Sequence, residues 1–325
     1  MVVLVGAIKR LEELIYTGSA ITKEDATFIA GIEGPDILDL FSSANRIRSH
    51  FRGDHVGLCS IINAKSGSCS EDCSFCAQSS QSRALIDTYP LLKRERVIQK
   101  ARENRKYGIQ RFSIVTSGKK ISRKDLLEIS DMLAAIKDAG MIPCASLGLL
   151  REDELSALKD AGLDRYHHNL ETSSRHFPEI CSSHTYADKI HTIRAAQAAG
   201  LSLCSGGIFG LGETWEDRID MAFALRNLAI DSVPINFLIP VTGTVLEKRD
   251  LLHPLVALKI ISLYRFVLPR KEIRICGGRM QVLGEFNSMI FFAGADGMIS
   301  GNYLTTMGRS PEDDLQLIKM HGLRI

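Results

Sequence analysis

This 325-residue chain has no long hydrophobic run. Its most apolar end, residues 1–8, stops at Lys9, far short of a signal h-region with a cleavage site or of a membrane span. A cytoplasmic protein with no membrane partner is the expectation. Blocks of like charge are missing too: 40 Lys+Arg stand against 38 Asp+Glu, a net charge of +2. With no basic stripe to track phosphates, nucleic acid is excluded as a partner and small molecules are favoured. Low-complexity tracts, sequence repeats and Pro/Ser-rich linkers are absent as well. What is present, 45% apolar and 24% charged residues, is the composition of a soluble globular protein able to pack a core. The length fits one large barrel or two small domains.

Eight β-rich runs alternate with amphipathic helical stretches. The runs are 56–63, 111–117, 142–148, 165–171, 202–210, 232–240, 273–278 and 297–302. Helices are expected over 123–139, 151–161, 186–199 and 214–228, the first three followed by Gly140, Gly162 and Gly200, where a left-handed residue ends a helix cheaply. Repeated βα units imply a parallel sheet. Eight of them favour an α/β fold of the closed (β/α)8 TIM-type over an open doubly wound sheet. Residues 1–52 read as an N-terminal helical cap without a strand of its own, and residues 53–325 as the barrel.

Eight cysteines occur, at 59, 69, 73, 76, 144, 181, 204 and 276. In a reducing compartment the question is which of them bind metal. Cys69, Cys73 and Cys76 form C-x3-C-x2-C in a loop after the first expected strand, together with Gly67, Ser68, Ser70 and Ser74. Such a loop can aim three thiolates at three corners of a four-iron cluster and leave the fourth iron open for a substrate. A zinc loop borrowing a distant Cys or His is the other reading; Phe75 and the barrel context weigh against it. Cys181, in PEICSSH, has no partner at metal spacing and reads as a free thiol that packs like a small hydrophobe. His167 and His168 read as satisfied polar residues, of which at most one points into the barrel.

The triplet resembles the signature of radical S-adenosylmethionine enzymes, and the likeness extends along nearly the whole chain to the biotin synthase family. NAKSGSCSEDCSFCAQ (Asn63 to Gln78), YHHNLET (Tyr166 to Thr172), CSGGIFGLGE (Cys204 to Glu213), VPINFL (Val233 to Leu238) and IRICGGR (Ile273 to Arg279) carry it in order. The resemblance implies radical insertion of sulfur into dethiobiotin to give biotin. S-adenosylmethionine on a four-iron, four-sulfur cluster would supply 5′-deoxyadenosyl radicals, and an auxiliary iron–sulfur cluster the sulfur. It implies that Asn169 and Glu171 bind the ribose of S-adenosylmethionine, with Asn169 also approaching the substrate. Lys189 replaces the family's arginine at the methionine carboxylate, and Asn236 would meet the ureido ring. Gly206, Gly207 and Gly210 would let backbone approach the adenosyl group. A homodimer and a flavodoxin or ferredoxin electron donor are likewise implied.

The chain departs from its family at the auxiliary cluster. Two of the family's three cysteines align with Cys144 and Cys204 and its ligand arginine with Arg274, but the third position, in RFSIVTSG, is Ser113, a poor ligand for iron. Cys59 and Cys276 appear instead on strands that should line the same cavity. Four thiolates, Cys59, Cys144, Cys204 and Cys276, suit a four-iron auxiliary cluster with Arg274 as a hydrogen-bond donor, the two-iron cluster with Arg274 as ligand being the alternative. Two other functions stay open: a hydrogenase-maturation or aminomutase-like radical enzyme, and a non-catalytic iron–sulfur redox sensor.

Overall fold

The computed structural model describes residues 2–304 and 306–325, with the side chains of residues 2–5 left out; Met1 of the apolar N-terminal stretch lies outside them. Nine short strands form one parallel sheet: β1 Gly57–Lys65, β2 Arg111–Thr116, β3 Ile142–Ser146, β4 Arg165–His167, β5 Ser202–Cys204, β6 Gly207–Phe209, β7 Ser232–Phe237, β8 Glu272–Ile275 and β9 Gly297–Ile299. Neighbours follow chain order from β1 to β5, and from β6 through β7 and β8 to β9, which pairs with β1. The pairing of Cys204 in β5 with Ser232 in β7 completes the ring. The sheet is therefore a closed barrel of eight staves, with β5 and β6 as two pieces of one stave, and not an open doubly wound sheet.

The break between β5 and β6 has a local cause. The registers Cys204↔Ser232 and Gly207↔Ile235 set Gly206 opposite Pro234. Leu238, of the same parity as Pro234, donates its N–H to Phe209 O. The N–H that Pro234 lacks would face the same stave, so the ladder loses a rung there.

The helices between strands end as the sequence indicates. α5 Arg123–Asp138, α6 Glu152–Asp160 and α8 Tyr186–Ala198 are each followed by a left-handed glycine, with φ +76° at Gly140, +104° at Gly162 and +70° at Gly200. Ser122 and Thr185 cap two of them by accepting the N–H of Asp125 and Asp188. Three helices precede the barrel: α1 Val2–Tyr16, α2 Lys23–Ala30 and α3 Asp36–Arg52. Helix α1 buries Ile8, Leu11 and Ile15, a stripe at helical spacing. Helices α2 and α3 cover the outer helices α9 Trp215–Asn227 and α10 Pro254–Val267, and α1 packs on α3; Lys259 Nζ donates to Ala30 O and Ile32 O at 2.7 and 3.0 Å. Their apolar residues join the barrel's own core. Among the described residues no helix is long and apolar enough to cross a membrane.

Charge closes the lower end of the barrel. Glu272 accepts from Arg274 Nη2 at 2.6 Å and from Arg165 Nη1 at 2.8 Å, all three buried. Room for the carboxylate comes from Gly57 and Gly297, whose absent Cβ atoms would stand 2.2 and 3.1 Å from Glu272 Oε1. A second buried pair anchors the C-terminal helix α12 Pro311–Met320: Arg279 Nη2 donates to both carboxylate oxygens of Asp314 at 2.9 and 3.0 Å, and neither side chain is exposed. Asp314→Ala should cost about 3–5 kcal/mol, because it strands a buried guanidinium. Urea unfolding should show the loss as a lower midpoint at constant slope.

Candidate active site

A cavity of about 450 Å³ opens where the C-terminal ends of the strands meet their loops, as expected for this fold. Cys69, Cys73 and Cys76 line one side of it. Their loop follows β1 and turns through Gly67 at φ +75° and Ser68 at φ +49°. It is closed on itself by Cys76 N–H to Cys73 O at 3.1 Å and Ser79 N–H to Cys76 O at 3.1 Å. The Gly67 peptide is held from both sides: its N–H donates to Gln78 Oε1 and its carbonyl accepts from Ser117 Oγ.

Two carboxylates between the first and second cysteines clamp the loop to residues 181–184. Asp72 accepts the backbone N–H groups of Ser182 and Ser183, each at 3.0 Å, and the Ser182 hydroxyl. This holds its carboxyl well below the usual range despite the opposing cost of burial. Glu71 Oε2 meets Ser183 Oγ at 2.8 Å and His184 Nδ1 at 2.6 Å. Cys181 is thereby set 3.8 Å from Cys73, sulfur to sulfur, and 3.3 Å from His184 Nδ1. Spacing along the sequence separates Cys181 from the triplet by more than a hundred residues, which is why it reads there as an isolated thiol. It packs as a small hydrophobe against Phe177, Ile180, Leu211 and Leu238 on one side and meets the polar cluster on the other. The adjacent acids Glu71 and Asp72 between two cysteines are the local feature in the sequence that marks the loop as needing a partner.

The cavity wall that continues from the triplet through residues 167–171 and Lys189 is polar and incompletely satisfied. Glu171 adopts φ +71°, a left-handed conformation rare outside glycine and typical of functional positions. Burial raises its carboxyl pKa against the pull of Lys189, whose Nζ lies 3.9 Å from Oε1, and its Oε2 is buried without a partner. Lys189 itself is 9% exposed and lines the cavity, so it is no solvated helix lysine. His167 and His168 both line the cavity but not from one face of the strand: alternation continues past β4, with His167 Nδ1 near Ser113 Oγ and His168 stacked on Tyr166 while donating its backbone N–H to Cys204 O at 2.9 Å. Neither ring is fully satisfied: the Nε2 of each is buried without a partner. Burial, with Arg274 and Lys189 respectively next, keeps both rings neutral. Asn169 faces the cavity and accepts from Gly206 N–H at 3.3 Å.

Asn236 spans two neighbouring staves. Its Nδ2 donates to Gly207 O at 3.2 Å and its Oδ1 accepts from Gly277 N–H at 3.0 Å. One N–H and one lone pair remain for a ligand in the cavity. The expected glycines sit behind this wall. A Cβ on Gly206 would lie 2.0 Å from Pro234 O, and one on Gly207 2.3 Å from Glu171 O, while Gly210 has φ +98°. Close strand packing thus already requires the first two, and backbone conformation the third.

At the floor, Cys59, Cys204, Cys276 and Arg274 line the same cavity. Cys144 is fully buried beside them, its Sγ 3.7 Å from Arg111 Nη1. Alternation explains the convergence: Cys59, Cys144, Cys204 and Arg274 occupy inward positions of β1, β3, β5 and β8, and Cys276 continues the parity of Arg274. Ser113 holds the corresponding place on β2, opposite Cys144, with His167 Nδ1 at 3.5 Å. Burial raises the pKa of all four thiols, that of Cys144 to about 12. The residues present fit iron–sulfur groups at both ends of the cavity: soft donors converge there, and the buried Nε of Arg274 has no partner.

Residues 65–225 match the family model of the radical SAM superfamily, and residues 234–324 that of the biotin and thiamin synthesis associated domain. A biotin synthase of Thermodesulfovibrio yellowstonii is 52% identical over 91% of this chain and 94% of its own length; one of Heliobacterium modesticaldum is 48% identical over 98% of each. The chain belongs to the biotin synthase family. Two solved structures share its fold at low identity, methylornithine synthase (TM-score 0.83, 20% identical, 97% of this chain and 96% of that one) and a maturase of the FeFe-hydrogenase (0.83, 16%, 98% and 74%). Methylornithine synthase and the hydrogenase maturase thus share the architecture of this biotin synthase family member at no more than 20% identity. A radical SAM enzyme binds a four-iron, four-sulfur cluster and S-adenosylmethionine, and that also sets aside the non-catalytic redox sensor.

Gly206→Ala in this biotin synthase family chain should lower stability by about 1–3 kcal/mol, since the obstructing atom is backbone and cannot swing away. By contrast Gly6→Ala, in an exposed helix with nothing within 4 Å of the added carbon, should raise it by about 0.5–1 kcal/mol. Chemical denaturation of the two variants checks both signs.

Proposed function

We propose that this chain converts dethiobiotin to biotin, with Cys69, Cys73 and Cys76 holding the radical SAM cluster and Cys59, Cys144, Cys204 and Cys276 holding a four-iron auxiliary cluster. The observation that carries the reading is one cavity with three thiols at its mouth and three more, backed by Cys144, on its floor. When bound, the two clusters supply the electron that opens S-adenosylmethionine to a carbon radical and the sulfur that the substrate gains.

The chain's own residues position and shield. Lys189 takes the methionine carboxylate, as a point charge and not a bidentate fork. Asn169 and Glu171 take the ribose hydroxyls, and the free carboxylate oxygen of Glu171 gives one of them an acceptor. Asn236 offers its remaining N–H and lone pair to the cyclic urea, held in place by the two backbone bonds it already makes. Arg274 is held through Nη2 by Glu272, which it shares with Arg165, while its unpartnered Nε–H is available to a cluster sulfide. That favours a hydrogen-bonding role over iron ligation. A homodimer, a cytoplasmic location and a flavodoxin- or ferredoxin-type electron donor complete the proposal.

Iron and sulfide analysis of anaerobically reconstituted protein should give about eight irons per chain, against about six for a two-iron auxiliary cluster. Cys276→Ala should lose the auxiliary irons and biotin formation while still cleaving S-adenosylmethionine; Mössbauer spectra of a two-iron centre indifferent to that change would refute the ligand set. Separately, Asn236→Ala should weaken dethiobiotin binding by about 1–3 kcal/mol, by leaving polar ring atoms unpaired in a dry pocket. Equilibrium binding measured for both ligands checks this, since a loss confined to S-adenosylmethionine would move Asn236 to the other pocket.

A further inference from the structure

Beside the triplet lies a second set of metal-ligand atoms. Cys73 Sγ, Cys181 Sγ and a ring nitrogen of His184 all lie within 4.8 Å of one another. Two thiolates on one tetrahedral zinc, with bonds of about 2.3 Å, stand about 3.8 Å apart, and a thiolate and an imidazole nitrogen about 3.5 Å. The observed separations are 3.8 Å and 3.3 Å. Oxygens for the fourth position are at hand: Glu71 Oε2 is 2.6 Å from His184 Nδ1, and Asp72 Oδ1 is 3.2 Å from Cys181 Sγ. The set is also held without a metal. Asp72 and Glu71 fix residues 182–184 through backbone and hydroxyl donors, so the ligand atoms converge before any ion arrives.

We propose that the cluster-free chain binds one zinc ion through Cys73, Cys181 and His184, with a carboxylate oxygen of Glu71 or Asp72 as fourth ligand. Only the consequence rests on the reading of Cys73 as a cluster ligand: one thiolate cannot serve both metals, so zinc and the radical SAM cluster exclude each other. Zinc at this site holds the loop closed and blocks cluster assembly until it is removed. Binding replaces the two thiol protons with the metal, so the protons leave to solvent and no electron is transferred.

The test uses the full chain stripped of iron and titrated anaerobically with zinc against a chromophoric chelator, then with cobalt(II) as a spectroscopic stand-in. One equivalent should bind at this site, apart from any taken by the floor cysteines, with thiolate-to-cobalt charge-transfer absorption that is lost in Cys181→Ser. Cys181→Ser and His184→Gln should each weaken zinc binding at least about tenfold, whereas Cys69→Ala should leave it unchanged. Zinc-loaded wild-type chain should take up iron and sulfide at least about tenfold more slowly than stripped chain, and Cys181→Ser should show no such delay. Zinc affinity indifferent to Cys181→Ser, or lost as fully in Cys69→Ala, would overturn the site by showing zinc elsewhere or on the triplet alone. None of these readouts depends on biotin formation, so failure here and failure of the proposed reaction are distinguishable.

Discussion

Closure of the parallel ladder is the constraint from which the site follows. In a closed barrel every second residue of each stave points into one interior, and neighbouring staves hold those residues at fixed registers. Cysteines on β1, β3 and β5 and just past β8 meet only because the ring closes through β1–β9 and β5–β7. An open sheet of the same strands would leave β1 and β5 far apart. The cost of closure appears where it is tightest, at the Pro234–Gly206 crossing and at Gly57 and Gly297, which leave space for the Glu272 carboxylate.

Electrostatics then divides the interior into two ends. Below, Arg165 and Arg274 share the one carboxylate of Glu272, so this end keeps a net positive charge beneath the cysteines, where thiolates would offset it. Above, Glu71 and Asp72 hold the triplet loop to the segment after β4. Between the ends the cavity retains unpartnered atoms of His167, His168, Glu171 and Arg274. Several buried polar atoms left unsatisfied in one cavity mark the part of the fold built for a ligand, since elsewhere such atoms would only destabilise.

Much of this is legible in the sequence. The alternation of strands and helices and the helix-ending glycines follow from period and spacing, the barrel from their count, and the inward cysteines from the family resemblance together with strand parity. Two features do not. The division of the fifth stave depends on a proline in another strand, a register effect no local window contains. The neighbourhood of Cys181 depends on carboxylates far along the chain; spacing rules see only ligands on one loop.

The account's central claim is that one cavity unites radical generation with a sulfur source held by the protein. Its most direct test is a single anaerobic incubation of the reconstituted chain with dethiobiotin, S-adenosylmethionine and reductant, with no sulfide added. The account predicts that biotin forms and that its sulfur comes from the protein, traced by reconstituting the clusters with isotopically labelled sulfide. Steady formation of 5′-deoxyadenosine without biotin, or biotin carrying no label, would contradict it.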